Sequence, residues 1–398
     1  MTLLHPRTEP EDAETPEPEA LIREARRLRR LRWLRGTLAV AAVGLATGLA
    51  VVLVRGASVP HPHVVASAGA AAKPGAIVTP KLPEAMAVGP KGSLYVVDGG
   101  RDQILRRRPG GRFQVVAGTG RRGFSGDGGP AVDAEIHVGY QAGIAVARNG
   151  TVYFSDDWNG RVREVLPDGV IETVAGGGST PLGTKPVRAL AASFGRPFSL
   201  YGLTIGPGGD VYLGCGQGVY RLAPDGVLRW VVGMPLDPRA LAKHWGGVYA
   251  NPAIESDFAP AARLAFDGRG DLFVAGGGGN GLYEQTVAGE LRFIENFRGE
   301  GYWGSLAPGP KGTVVLSGGS TGLARASASG VFTEVQHSRL TDLLGAHNDF
   351  PSGGDVAVAS NGDIYLDTDA GNGFTNASAI VEVTPAGRAR VVWEAAGS

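Results

Sequence analysis

Short apolar runs, each preceded by a polar turn, recur six times between residues 81 and 398. The turns are Pro90-Lys91-Gly92, Arg148-Asn149-Gly150, Pro207-Gly208-Gly209, Gly268-Arg269-Gly270, Pro310-Lys311-Gly312 and Ser360-Asn361-Gly362. The runs that follow them are Leu94–Val97, Val152–Phe154, Val211–Leu213, Leu272–Val274, Val314–Leu316 and Ile364–Leu366. Glycine-containing turns followed by β-branched and aromatic residues predict a strand after each turn.

The second copy shows the predicted unit most clearly. Strand a covers Ile144–Ala147, strand b Thr151–Ser155, strand c Arg161–Val165 and strand d Val170–Ala175, with turns between them. Copies begin about 40 to 60 residues apart, a period typical of four-stranded propeller blades. The pattern therefore predicts an all-β fold, a six-bladed β-propeller of four-stranded blades.

Stacking around an axis explains why the copies need one another, since a single four-stranded sheet cannot bury both of its faces. The last copy ends in a strand of its own at Arg388–Trp393, so no blade of mixed origin is identified. The short run Ala76-Ile77-Val78 before the first copy is a candidate for an extra closing strand.

A different pattern occupies the N-terminal fifth of the chain. Thr37–Val54 is eighteen residues without a charge, closed by Arg35 and Arg55. In a helix this run spans about 27 Å, close to the thickness of a bilayer core. A cleaved signal peptide is the alternative, with Ala66-Ser67-Ala68 as its cleavage motif, but its apolar core would be shorter and its basic region is unusually long.

The polar residues around this run complete the domain assignment. We expect a disordered acidic tail (1–20), a basic juxtamembrane helix (21–36), a transmembrane signal-anchor helix (37–54), an Ala/Pro linker (55–80) and the propeller (81–398). Seven arginines precede the span within residues 21–36. Basic residues that flank a membrane span tend to stay on its cytoplasmic side. We therefore predict a single-pass cell-membrane protein with a cytoplasmic N-terminus and an extracellular propeller.

Composition narrows the choice of partners. The formal net charge is zero, whereas nucleic-acid binding needs a basic surface, so no nucleic-acid partner is expected. The one cysteine, Cys215, cannot form an internal disulfide, and its position between glycines suits a small residue in a turn.

A specific resemblance is confined to residues 113–176. Ala117-Gly118-Thr119-Gly120 and Gly123–Ala131 are followed by Asp156, Asn159, Arg161, Arg163, Asp168-Gly169 and Thr173–Gly176. This pattern resembles bacterial NHL-repeat propellers. The first copy keeps Asp98, Arg101 and Ile104, while copies three to five replace the Asp…Asn-x-Arg signature with glycine runs.

The resemblance implies a ring of blades that binds proteins, peptides, glycans or nucleic acid. Membrane-tethered members of this family resemble the extracytoplasmic sensor domains of transmembrane kinases. This chain shows no kinase domain in its predicted inside portion, which is a short tail.

The long loops lie at one end of the predicted ring, which we name the loop face. It carries the turns between strands b and c and the links from strand d to the next strand a, and these links are long at about 119–142, 177–201, 234–262 and 337–354. Long loops on a rigid scaffold commonly carry binding. The candidate binding residues are Tyr140, Trp158, Asn159, Tyr201, Trp245, Tyr249, Tyr302, Trp303, His347, Asn348 and Asp349. The alternative is that the aromatic residues pack beneath their own loops.

Catalytic and metal signals are weaker. Asp367, Asp369 and Asn372 begin a loop that resembles a calcium site, but its glycine is misplaced and Ser378 stands where glutamate belongs. His347 and Asp349 share a loop, which a solvated polar loop explains as well. No catalytic residue is assigned, and no cofactor is expected, with calcium left open.

Three functions remain, and one of them, a structural partner that binds another membrane protein through the blades, gives the same sequence pattern as the first described here. The first is a membrane-anchored binding or sensing module with a protein, peptide or glycan ligand on the loop face, which makes the chain a non-enzyme. The second is a metal-dependent hydrolase similar to the calcium lactonases built on six-bladed propellers. Its ligands would come from Asp157, Asn159, Asp349, Asp367 and Asp369.

Overall fold

Each of the six repeats contributes four consecutive antiparallel strands to a sheet in the computed structural model, and the sheet of the third repeat gains a fifth strand from the link that precedes it. The structure describes residues 75–139, 142–195, 200–215, 218–233, 259–277, 281–295, 303–318, 322–335, 355–369 and 377–394. The tail, the juxtamembrane helix, the membrane span and most of the linker lie outside these residues. Within them, no helix is long and apolar enough to cross a membrane.

The strands follow the chain from blade to blade. Blade 1 contains β1 (Pro83–Val88), β2 (Leu94–Asp98), β3 (Gln103–Arg107) and β4 (Phe113–Ala117). Blade 2 contains β5 (Ile144–Val146), β6 (Val152–Asp156), β7 (Arg161–Val165) and β8 (Ile171–Gly176). The link after blade 2 holds β9 (Thr180–Pro181), β10 (Val187–Arg188) and β11 (Ala192–Ser193).

The remaining blades repeat the arrangement. Blade 3 contains β12 (Leu200–Ile205), β13 (Val211–Cys215), β14 (Gly218–Leu222) and β15 (Val227–Gly233). Blade 4 contains β16 (Ala259–Phe266), β17 (Leu272–Gly277), β18 (Leu282–Gln285) and β19 (Leu291–Glu295). Blade 5 contains β20 (Trp303–Pro308), β21 (Val314–Gly318), β22 (Gly322–Ser327) and β23 (Gly330–Val335). Blade 6 contains β24 (Val356–Val358), β25 (Ile364–Asp369), β26 (Ala377–Val383) and β27 (Ala389–Glu394).

The six sequence triplets form the turns between the first and second strands. Their last residues are glycines with positive φ, between 70° and 95°, at positions 92, 150, 209, 270, 312 and 362. Side chains other than glycine are strained in this region of backbone space, so the turn selects glycine in every copy. The recurring triplets thus have a local conformational cause.

The blades close into a ring. The first strand of each blade, which we call the inner strand, contacts the inner strands of both neighbouring blades, and β24 contacts β1. A separate apolar cluster fills each of the six junctions between neighbouring blades. At the junction of blades 6 and 1, Tyr365 and Trp393 pack against Leu94 and Phe113. The described residues therefore form a six-bladed propeller with four-stranded blades.

The segment Ala76–Val78 does not form the extra closing strand that the sequence suggested. The amide of Val78 donates to the carbonyl of Phe113 at 3.1 Å, and the amide of Val115 donates to the carbonyl of Ala76 at 3.1 Å. The segment therefore extends the outer edge of blade 1 and adds nothing to the sheet of blade 6. Among the described residues, side-chain packing closes the ring, together with a bond in which the Met86 amide donates to the Asp355 carboxylate.

Candidate functional site

One equivalent position of the six inner strands carries different residue types in different blades. It lies where regular pairing with the second strand begins, at the loop face. In blades 1 to 3 it holds Ala85, Gly143 and Gly202, and in blades 4 to 6 it holds Arg263, Ser305 and Asp355. Small residues therefore occupy this position in three neighbouring blades, and charged or polar residues occupy it in the other three.

Two further carboxylates, from blades 1 and 2, interact electrostatically with Arg263 or with each other. Glu84 occupies a bulge of β1, where the pairing register shifts between Pro83 and Ala85. Asp157 follows β6 and begins the turn to β7. The charges of Asp157 and Arg263 both act on Glu84, and Arg263 also acts on Asp355. We name Glu84, Asp157, Arg263, Ser305 and Asp355 the axial cluster.

Burial raises the pKa of each of these carboxyl groups. The pKa of Glu84 rises to about 7, mainly because burial disfavours the carboxylate and secondly because Asp157 is negative. Burial also raises the pKa of Asp157 to about 7, although a hydrogen bond from Gly139 opposes the rise. The pKa of Asp355 is raised by burial and lowered by Arg263 and Ser305. Perturbed groups gathered in one opening are a common mark of functional sites.

Asp157 is only half satisfied. Its side chain is 2% exposed, and its Oδ1 accepts a hydrogen bond from the amide of Gly139 at 3.0 Å. Its Oδ2 is buried and has no hydrogen-bond partner among the described residues. A buried polar atom without a partner costs free energy, so this oxygen is a ready acceptor for a ligand.

An aromatic pair borders Asp157. The rings of Trp158 and His137 stack with centroids 4.9 Å apart and planes 7° apart, and Trp158 is 42% exposed. Gly139 lies beneath the indole, where any side chain would overlap Nε1 of Trp158. Burial lowers the pKa of His137, while Asp102 opposes this shift. The pair gives the loop face a flat aromatic surface beside the carboxylates.

The long link between blades 1 and 2 is fastened to blade 2 by Arg163. This fully buried guanidinium donates to the carbonyls of Glu135 and Ser125 at 3.1 and 2.7 Å. It pairs with Asp127 at 2.8 Å and with Asp156 at 3.6 Å. The residues that carry the family resemblance therefore hold this link in place.

The same motif supplies further contacts to the link. The second oxygen of Asp127 accepts from the hydroxyl of Thr173 at 2.7 Å. The guanidinium of Arg161 lies 3.9 Å from the ring centre of Phe124. Asn159 donates to the carbonyl of Gly123 at 2.8 Å. The described part of this link is thus packed onto the blade instead of standing away from it.

The structure describes only some of the predicted binding residues, and these differ in their exposure and contacts. Trp158 stands at the loop face with an exposed indole, whereas the Asn159 amide is bonded to Gly123 and to Asp156 at 2.7 Å. Tyr201 lies in β12 and Trp303 begins β20, both described in their backbone only. Tyr140, Trp245, Tyr249, Tyr302, His347, Asn348 and Asp349 lie outside the described residues.

One of the weak metal candidates pairs with the axial cluster through its backbone, since the amide of Asp367 donates to the carbonyl of Asp355 at 3.2 Å. Asp367 lies within β25 and Asp369 ends that strand, while Asn372 lies outside the described residues. In the part of the chain that the structure describes, no three His, Cys, Asp or Glu side chains are arranged to hold a metal ion.

Sequence reasoning missed most of the axial cluster. It named Asp157 only as a possible metal ligand and did not select Glu84, Arg263, Ser305 or Asp355. The signal was nevertheless present, because aligning the six copies brings Arg263, Ser305 and Asp355 to one position. The bulge that carries Glu84 left no such signal.

Comparison with known proteins gives no family assignment. No family model matches the chain. Teneurin-m of Drosophila melanogaster is 28% identical over 236 residues, which cover 54% of this chain and 8% of that protein. The chain therefore spans less than a tenth of the length of this curated relative.

Solved propellers resemble the chain at low identity. Virginiamycin B lyase from Staphylococcus aureus is 13% identical with a TM-score of 0.48, covering 79% of this chain and 84% of that one. A streptogramin B lyase structure is 13% identical with a TM-score of 0.49, covering 81% and 86%. A gluconolactonase from Xanthomonas campestris is 11% identical with a TM-score of 0.34, covering 84% and 90%.

Proposed function

We propose that this protein is a binding module whose ligand occupies the axial cluster on the loop face. What supports the proposal is the electrostatic coupling of Glu84, Asp157, Arg263 and Asp355, which come from four different blades. Buried charged groups cost free energy, and a cluster of them is retained most readily where it serves a ligand. The exposed indole of Trp158 beside Asp157 adds an aromatic surface of the kind that peptides and sugars contact.

The ligand class in this proposal is a peptide, a protein segment or a glycan. Titration calorimetry of the full chain against secreted peptides and cell-wall fragments tests it. Asp157→Asn should weaken binding, because it removes the charge while its amide oxygen can still accept from Gly139. Asp133→Asn is the matched control, since Asp133 is an exposed carboxylate of the link between blades 1 and 2. Absence of binding across both ligand sets would remove the proposal.

Membrane anchoring through residues 37–54 is part of the same proposal, with the propeller outside the cell. The uncharged run and the seven arginines before it support this topology. Leu45→Arg at the centre of the run should release the chain from alkali-washed membranes, whereas Leu31→Arg in the basic segment should not. Equal release of both variants would contradict anchoring by this run.

We also propose that the chain is an NHL-repeat propeller. The support is specific to blade 2. Asn159 and Arg163 donate to the carbonyls of Gly123 and Ser125 in the preceding link at 2.8 and 2.7 Å. Asp156 accepts from the amide of His137 at 2.8 Å, and the guanidinium of Arg161 lies over the ring of Phe124. Transferring this signature into blade 3 with its link should recreate the same fastening. A crystal structure of that variant is the check.

A hydrolase is the second candidate, and one observation favours it. Glu84 and Asp157 both have a pKa of about 7, which suits a group that gives and takes protons at neutral pH. Elemental analysis of the purified chain and assays on lactones and esters test this alternative. Turnover that is lost in Glu84→Gln would establish it, and inert protein without bound calcium would exclude it.

A further inference from the structure

We infer that the axial cluster binds an organic ammonium ion, held between the carboxylates of Glu84 and Asp157. The inference rests on the proposed binding function and names the chemical class of its ligand. It follows from the balance of charge in the cluster, from an unsatisfied oxygen and from the neighbouring aromatic pair.

The charge balance divides the cluster into two halves. Arg263 acts on Asp355, which also accepts from the amide of Met86 and interacts with Ser305. Asp355 therefore has its partners within the protein. Among the described residues, Asp157 and Asp98 raise the pKa of Glu84 and Arg263 lowers it, while Asp98 has its own partner in Arg101 at 3.7 Å. Glu84 and Asp157 both have a pKa of about 7, so a cation bound between them would stabilise their ionised forms and release the protons that they hold near neutral pH.

The oxygen without a partner points to a hydrogen-bond donor. Oδ2 of Asp157 is buried in a side chain that is 2% exposed, and no donor among the described residues reaches it. An ammonium group carries three N–H donors and a positive charge, so it can satisfy Oδ2 and Glu84 together. A neutral hydroxyl could satisfy the oxygen but would not stabilise the ionised form of either carboxyl group.

Two features favour an organic cation over a metal ion. Calcium takes six to eight oxygen ligands, and the described residues contain no set of three carboxylate or imidazole side chains that could hold a metal. Oδ1 of Asp157 is already bonded to the amide of Gly139, which opposes bidentate coordination. The stacked Trp158 and His137 rings next to Asp157 offer a face that attracts ammonium groups.

The experiment uses the full chain in a non-ionic detergent and four probes in titration calorimetry. Nα-acetyl-lysine amide carries a side-chain ammonium, and alanyl-glycine amide carries a terminal one. Nα,Nε-diacetyl-lysine amide is the neutral counterpart of the first probe, and calcium chloride tests for a metal. We expect at least one of the two ammonium probes to bind and the neutral counterpart to fail, and the probe that binds tells a side-chain source from a terminal one.

Variants locate the site. Asp157→Asn and Glu84→Gln should each raise the Kd of the ammonium probe at least about tenfold, because each removes one member of a partly buried charge pair. Asp133→Asn should leave the Kd unchanged, and all three proteins should show the wild-type far-ultraviolet circular dichroism. A Kd that is unaffected by both axial variants would overturn the inference.

The outcomes separate this inference from the function on which it rests. Calcium binding that Asp157→Asn abolishes would overturn it in favour of a metal site. Equal binding of the charged and neutral probes, with loss in Asp157→Asn, would overturn the ammonium class while the axial site stands. If neither these probes nor the peptide and glycan sets bind, both the inference and the proposed function fail.

Discussion

Nη2 of Arg163 lies 2.8 Å from Oδ1 of Asp127, and this ion pair joins blade 2 to the link that enters it. The arginine side chain is fully buried, whereas that of Asp127 is 30% exposed. A buried guanidinium needs several acceptors, and the carbonyls of Ser125 and Glu135 supply the others. The long link is thus part of the folded scaffold.

Arg163→Leu should destabilise the propeller by about 3 to 5 kcal/mol, because it leaves the buried carboxylate of Asp156 without its cation. Urea unfolding monitored by tryptophan fluorescence measures the change in the free energy of unfolding. Arg229→Leu is the control, since its partner Asp225 lies at 2.7 Å on the surface and solvent screens that pair. A similar loss in both variants would contradict the role given to Arg163.

Stability should depend on pH through Glu84 and Asp157. The folded protein holds these protons up to pH about 7, whereas the unfolded chain releases them near the ordinary values of 4.5 and 3.8. Their contribution to stability is therefore complete below pH about 4 and is lost as the pH rises through about 7. Urea unfolding of the wild type at pH 4 to 8 should show this decline.

Glu84→Gln removes one of the two titrating groups, so its stability should fall less steeply over the same pH range. The free energy of unfolding of the variant, measured relative to the wild type, should therefore be higher at pH 8 than at pH 5. Asp133→Asn, at an exposed position, should follow the wild-type curve. Parallel curves for wild type and Glu84→Gln would show that Glu84 titrates as it does in the unfolded chain.

Gly139→Ala should displace Trp158, because the added methyl group would overlap the indole nitrogen. The indole would leave its stack with His137, and binding at the axial cluster should weaken. The ¹⁹F spectrum of protein labelled with 5-fluorotryptophan reports the movement, with Trp158 assigned through Trp158→Phe. Gly183→Ala has open space around it and should leave the spectrum unchanged.

Cys215 should be inert in the folded protein. Burial raises the pKa of its thiol to about 12, so the reactive thiolate is scarce at pH 8. Reaction with Ellman's reagent at pH 8 should be undetectable in buffer and should reach one thiol per chain in denaturant. Rapid reaction of the native protein would indicate that β13 opens at its end.

The blades were predictable because their signals are local. Each triplet ends in a glycine that a left-handed turn requires, and each is followed by the buried second strand, for example Leu94–Asp98 after Gly92. Ring closure was less predictable. Pairing of Ala76–Val78 with the outer edge of blade 1 depends on which of two neighbouring blade edges accepts it, and both edges look alike in sequence.

The candidate site was harder to predict because it joins residues from distant copies. Trp158 was selected for its place in a turn, and its indole is exposed at the loop face. Asn159 was selected on the same grounds, yet its amide is bonded to the link. Glu84 reaches the axial cluster only through a bulge, and a bulge in β1 leaves no mark on the hydrophobic pattern.

The carboxylate of Asp355 takes part in two interactions. Its carboxylate accepts the Met86 amide across the junction of blades 6 and 1, and the same group shares Arg263 with Glu84. That junction is the seam at which the chain's first and last sheets meet without a strand in common. A ligand charge that acts on Arg263 would therefore also act on the contact that joins the first and last sheets.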